Sequence, residues 1–222
     1  MSVHDAQAAR ELLASLVGRL QEQGERDRVT LAQLLHDELG GLLAVARMTL
    51  SRAQRDSAVS GDADLQESLA ELETQLLQAF EVKRLAVEQL RPGLLDHFGP
   101  GLALPALYEP ACRDAGVQLT VSVARDLPAL APDRAIALYR IGAAALARML
   151  RAGARRIELM LEAVEGGCAL GLRHDGADEG FDTAPEFEGY ALWLERLQGQ
   201  LAIQRATPSG CYLRASLPAR LR

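Results

Sequence analysis

The stretch LAQLLHDELGGLLAVARMTL, residues 31–50, sets Leu31, Leu35, Leu39, Leu42, Ala46 and Leu50 at intervals of three and four. Because an α-helix turns once in 3.6 residues, that spacing draws one apolar stripe down a long helix. The pattern runs upstream to about Ala6 and downstream to Arg55, where DSAVSGDAD (56–64) breaks it and offers Asp62 or Asp64 as the cap of a second helix. From Leu65 the spacing resumes through Leu69, Leu72, Leu76, Phe80, Val87 and Leu90, and Arg91-Pro92-Gly93 stops it, since proline cannot continue a helix. Two long helices are expected to pair antiparallel. Each stripe is too wide for one partner of its own length to cover, so two such hairpins are expected to join as a homodimeric four-helix bundle.

Beyond the hinge-like LRPGLLDHFGPG (90–101) the character changes. A short helix is expected over 101–115, and VQLTVSV (117–123) alternates apolar and polar residues as a half-buried strand does. Residues 132–152 read as a helix with Pro132 near its first turn, followed by strands RRIELMLEA and CALGLRHD around a Gly166-Gly167 turn. GYALWLERL reads as a helix, and QLAIQRA with CYLRASLP as a closing hairpin around Pro208-Ser209-Gly210. The fold class is therefore a helical hairpin followed by an α+β sandwich, helices on one face of a mixed sheet.

In a chain of 222 residues, 49% apolar and 4% aromatic, the apolar content comes mainly from Leu, Ala and Val, which favours helices, and no apolar run reaches the length of a membrane span. The start, MSVHDAQAARELL, has early acidic residues and no apolar core of a secretory signal, so a cytoplasmic protein without membrane insertion is expected. Cys112, Cys168 and Cys211 are odd in number and widely spaced, fitting neither a disulfide framework nor a metal site. A net charge of -6 gives no general attraction to nucleic acid, and the default partner is another protein.

Chemistry concentrates at His36-Asp37. An imidazole nitrogen is a competent nucleophile toward phosphorus near neutral pH, and an adjacent carboxylate can orient the ring and accept its proton. His36 falls at the edge of the apolar stripe, within reach of a docked partner. Gly40 and Gly41 each cost about 1 kcal/mol relative to Ala inside a helix. Gly40, a turn beyond His36, leaves room for close approach by a partner, or the helix simply kinks there.

The run ERDRVTLAQLLHDELGGLL (25–43) resembles the phosphoacceptor helix of two-component histidine kinases that partner NarL/LuxR-type response regulators, E-R-x-R-[IL]-A-x-x-L-H-D-x-L-G-Q. LRPGLLDHFGPGLALPAL (90–107) is similar to that family's linker, LYRI (138–141) to the start of its nucleotide-domain N-box helix, and GYALWLERL and LAIQRATPSGCYLRASLP to its terminal motifs. The resemblance implies a helical extension over 1–24, a dimerisation and phosphotransfer hairpin over 25–92, and a degenerate, Bergerat-like ATPase-type sandwich over 93–222. It makes His36 the phosphoacceptor, Asp37 the group that orients and deprotonates it, and Gly40, Leu43, Ala44 and Arg47 the contacts of a response-regulator receiver domain. It also marks losses. The Gln or Asn that positions a water for dephosphorylation of the regulator is Gly41 here; the magnesium-binding Asn of the N-box is Arg148. The adenine-binding turn survives in part as Asp175-Gly176, with Gly180-Phe181 displaced. The glycine-rich lid is reduced to seven residues between Phe181 and Gly189, leaving Gly189 alone of its phosphate-binding glycines. ATP and magnesium binding are expected to be lost, and no metal is expected.

Three functions follow from this pattern. A histidine phosphotransferase would take a phosphoryl group from one receiver aspartate and hand it to another through His36. A non-catalytic pseudokinase would regulate a kinase or regulator by binding alone. An active divergent kinase is the least favoured. The basic run Arg148, Arg151, Arg155, Arg156 is open between a receiver-docking surface, a filled-in nucleotide site and a solvated helix face.

Overall fold

The computed structural model describes residues 3–55, 62–177, 184–205 and 210–219. Its contacts divide the chain into two units, one of Gln23–Gly93 and one of Met1–Glu22 with Leu94–Arg222. The first 22 residues, expected as a separate extension, thus group with the α/β unit, and side chains say why. Arg10 pairs with Glu195 at 2.5 Å and Glu22 with Arg196 at 2.9 Å, while Gly18 packs against the Arg196 stem.

In the helical unit, α1 (Val3–Leu34) passes through a widened π turn over Leu35–Leu39 into α2 (Gly40–Gln54), and α3 (Ala63–Leu90) returns. Of the two capping aspartates expected, Asp62 does the work: its Oδ1 accepts from the Leu65 N–H at 3.1 Å. The other residues of the expected turn, 56–61, lie outside the described residues. Gln54 of α2 donates to Glu73 at 3.0 Å, and Gly40 lies beside Lys83. As the first helix ascends from 40 to 54 its partners descend from 83 to 73, so the pairing is antiparallel as expected. The hairpin buries little by itself. Among its described residues only Ala32 and Leu50 are buried apolar side chains, while Leu42, Val45 and Met48 are 70%, 62% and 71% exposed.

The α/β unit opens with two helices. The linker expected as a hinge contains a short helix, α4 (Gly93–Phe98), and Gly99 at φ 72 turns the chain into α5 (Pro100–Asp114). A five-stranded mixed sheet follows, in the order β1-β2-β3-β5-β4, from β1 (Gln118–Val123), β2 (Arg156–Val164), β3 (Gly167–His174), β4 (Gln200–Arg205) and β5 (Cys211–Pro218). β1 runs parallel to β2, and every other pairing is antiparallel. α5, α6 (Pro132–Arg151) and α7 (Pro185–Arg196) form the second layer on one face. Between the layers lie Leu104, Tyr108, Leu138, Ile141, Met149, Trp193 and the inward leucines of β2, β3 and β5. Gly142 lets α5 approach α6: a Cβ there would meet the Leu104 side chain at 2.5 Å, and the Tyr108 hydroxyl donates to the Gly142 carbonyl at 2.7 Å.

Two local expectations are corrected. β1 is an edge strand whose described residues are exposed except the partly buried Leu119, because it has a neighbour on one side only. The β2–β3 turn is Glu165-Gly166, with Gly166 at φ 70, and Gly167 already pairs with Val164 in the sheet. Arg134, on a helix of good amphipathic pattern, is 1% exposed: Nη1 donates to the Pro218 carbonyl at 2.9 Å and Nη2 to Leu197 at 3.3 Å, tying the end of α7 to the end of β5. Among the described residues no helix is long and apolar enough to cross a membrane.

Candidate functional site

His36 sits in the π turn. The Gly40 N–H donates to the Leu35 carbonyl, five residues back, so one extra residue is accommodated around the histidine. Such insertions are rare and concentrate at functional sites. Two consecutive glycines ease the widening, since they weaken the local preference for a regular α-turn. His36 and Asp37 are both exposed, and among the described residues no hydrogen bond joins them. Gly40 and Leu43 are half-buried and Ala44 and Arg47 exposed, so His36 and these four positions share one accessible stretch of the hairpin.

Sequence reasoning missed the residue that α3 brings to this stretch. A Cβ on Gly40 would lie 2.9 Å from the Nζ of Lys83, so the ammonium occupies the space the glycine leaves. A signal existed: Lys83 is the single lysine of the chain, all other members of its 24 basic residues being arginine.

The second set of expected site residues is employed in folding. Asp175 Oδ1 accepts the backbone N–H groups of Arg155 at 2.8 Å and Arg156 at 2.9 Å, capping the start of β2. Burial pushes the Asp175 carboxyl up, but the N–H groups of Arg156 and Arg155 outweigh it and hold the group below its ordinary value. Gly176 is packed on the end of α6, where a Cβ would meet the Ala152 carbonyl oxygen at 2.8 Å, and its N–H donates to His174 Nδ1 at 3.1 Å. Gly189 lies inside α7, so its amide belongs to the helix ladder. Arg148 is half-buried on α6, with Arg151, Arg155 and Arg156 exposed nearby in sequence; Gly180 and Phe181 fall outside the described residues. A groove of about 420 Å³ in the same unit, lined by Asp96, His97, Phe98, Leu127, Pro128 and Pro132 among others, shares no residue with this set.

The chain thus carries an exposed histidine on a long helical hairpin, followed in sequence by a two-layer α/β unit. Residues 25–95 match the family model HisKA_3, described as histidine kinase. A curated relative, the sensor histidine kinase MctS of Rhizobium johnstonii, is 26% identical over 234 residues, an alignment covering 98% of this chain and 49% of MctS. The chain thus spans about half the length of that relative. Among solved structures, the histidine kinase AdeS of Acinetobacter baumannii is similar with a TM-score of 0.44 at 14% identity, over 78% of this chain and 95% of AdeS. The blue-light activated histidine kinase of Erythrobacter litoralis EL346 gives 0.44 at 12% identity, over 82% of this chain and 60% of its own.

Proposed function

We propose that this chain is a histidine phosphotransferase that relays a phosphoryl group between receiver-domain aspartates through His36, without autophosphorylation from ATP. The observation that carries this reading is the division of labour between the two units. The phosphoacceptor histidine is kept exposed on its π turn, while the residues that would hold a nucleotide serve the fold. The residues present do not fit a magnesium nucleotide. Arg148 puts a cation where the family keeps an oxygen ligand for the metal, Asp175 Oδ1 is committed to two backbone N–H groups, and Gly189 is locked in a helix. In-line transfer from ATP would lack both positioning and charge neutralisation.

Dimerisation through the hairpin accords with the eleven large exposed apolar side chains among its described residues, from Leu31 to Leu85. Covering them at roughly 1 kcal/mol each would favour association by of order 10 kcal/mol before the entropy of joining two chains is counted. A second copy would complete the four-helix bundle.

In the proposed reaction the His36 ring nitrogen attacks the phosphorus of a receiver's aspartyl phosphate. The P–O bond breaks toward the carboxylate, an N–P bond forms, and the ring N–H proton leaves to water or to Asp37. The test is to supply phosphorylated receivers and, separately, labelled ATP with Mg²⁺. Label appearing at His36 from receivers and not from ATP is expected; acid-labile label on His36 from ATP sinks the reading.

Among the described residues Asp37 accepts no hydrogen bond from the His36 ring, which favours a second reading, a regulator that acts by binding alone. His36→Gln separates the two, since it abolishes the cellular effect of a relay and spares that of a binding regulator.

A further inference from the structure

We propose that Lys83 is a further catalytic residue of this site, its ammonium binding the phosphoryl oxygens as the group passes on and off His36; this rests on the reading of His36 as phosphoacceptor. Lys83 is carried to the site by α3, which packs on the π turn and α2, and its Nζ is seated over Gly40, one turn from His36. The neighbouring Arg84 is engaged with Glu81 at 2.7 and 2.9 Å, whereas among the described residues Lys83 has no ion pair. Its charge remains available to a newly arriving anion.

The choice of side chain supports this. A chain that otherwise uses only arginine for fixed positive charge has a lysine at the position whose ammonium lies over Gly40, one turn from the phosphoacceptor. An ammonium is a compact point charge with three donors on a flexible stem, able to follow a group in motion, whereas a guanidinium is a broad planar fork. Gly40 and Lys83 then form one device. The absent side chain makes the seat, and the ammonium fills it. During transfer, negative charge spreads over the three equatorial phosphoryl oxygens, and a cation already in position stabilises it without reorganisation.

Having a single lysine makes the test direct. Reductive methylation with ¹³C-formaldehyde labels only Lys83 and the terminal amine, and the Lys83→Met spectrum, which keeps the terminal signal alone, assigns the two. The dimethylated chain is treated with phosphoramidate, whose P–N bond breaks as His36 takes the phosphoryl group and ammonia departs. The Lys83 methyl resonance is expected to move as phosphohistidine accumulates, and to stay put in His36→Gln. Lys83→Met is expected to slow loading about tenfold or more, and Lys83→Arg to recover part of it. Phosphohistidine forming with an unmoved Lys83 resonance and a wild-type loading rate in Lys83→Met overturns the role of Lys83 alone. Failure of the wild-type chain to form phosphohistidine overturns the parent reading and this one with it.

Discussion

Replacing Asp175 by Ala should weaken the α/β unit, because it removes the acceptor of two backbone N–H groups at 2.8 and 2.9 Å. Hydrogen bonds to a charged acceptor contribute about 1.5–3 kcal/mol each when shielded. This carboxylate is exposed and water can replace it at both donors, so the combined loss should be about 1–2 kcal/mol. Asp175→Asn keeps a neutral acceptor and should lose about half of that. Trp193, the single tryptophan, is 2% exposed in α7, so its emission during a urea titration reports this unit without the hairpin. With a slope of about 1–3 kcal/mol per molar urea, the Ala variant should unfold roughly 0.5–1 M earlier. The pH dependence has a definite sign. A carboxyl held below its ordinary value stabilises the fold fully above that range, about 3.9, and loses the contribution as pH falls through the folded-state value. The gap between wild type and Asp175→Asn should therefore close below about pH 4. An Ala variant that unfolds at the wild-type midpoint, yet loses a nucleotide affinity measurable in the wild type, would refute the cap and restore the adenine ligand.

Gly41→Ala meets nothing within 4 Å and should gain about 1 kcal/mol of helix propensity, raising the hairpin's melting temperature by roughly 4–8 °C by circular dichroism at fixed chain concentration. Gly40→Ala gains the same propensity but drives its Cβ into the Lys83 ammonium, so phosphoramidate loading of His36 should slow even as the hairpin melts higher. Arg134→Met leaves the Pro218 and Leu197 carbonyls without their donor and should cost about 2–3 kcal/mol by Trp193-monitored unfolding; a loss under about 0.5 kcal/mol would count against the tie. All three cysteines are buried, with Cys168 pushed by burial to about 11, so a disulfide reagent at pH 8 should titrate no thiols in the folded chain and all three in denaturant.

The amino-acid sequence alone determined what local periodicity and composition control. The stripe from Leu31 to Leu50, the break before Asp62 and the stop at Pro92 define the hairpin, because helix periodicity and proline act within a few residues. The alternation in β2 likewise marks a strand buried on one face, whereas β3, in mid-sheet, is buried at nearly every residue. His36 stands out in the sequence because it lies within a dense motif. Tertiary structure decided the rest. Apolar spacing of three and four is equally compatible with a regular turn or a widened one, so the π turn at His36 left no mark in the pattern. Lys83 reaches Gly40 across the hairpin, and Asp175 reaches the start of β2 from twenty residues on. Arg134 looks like a surface residue until the ends of α7 and β5 converge on it. Each of these depends on groups distant in sequence meeting in space, and a polar side chain's partner is fixed by that meeting rather than by its neighbours along the chain.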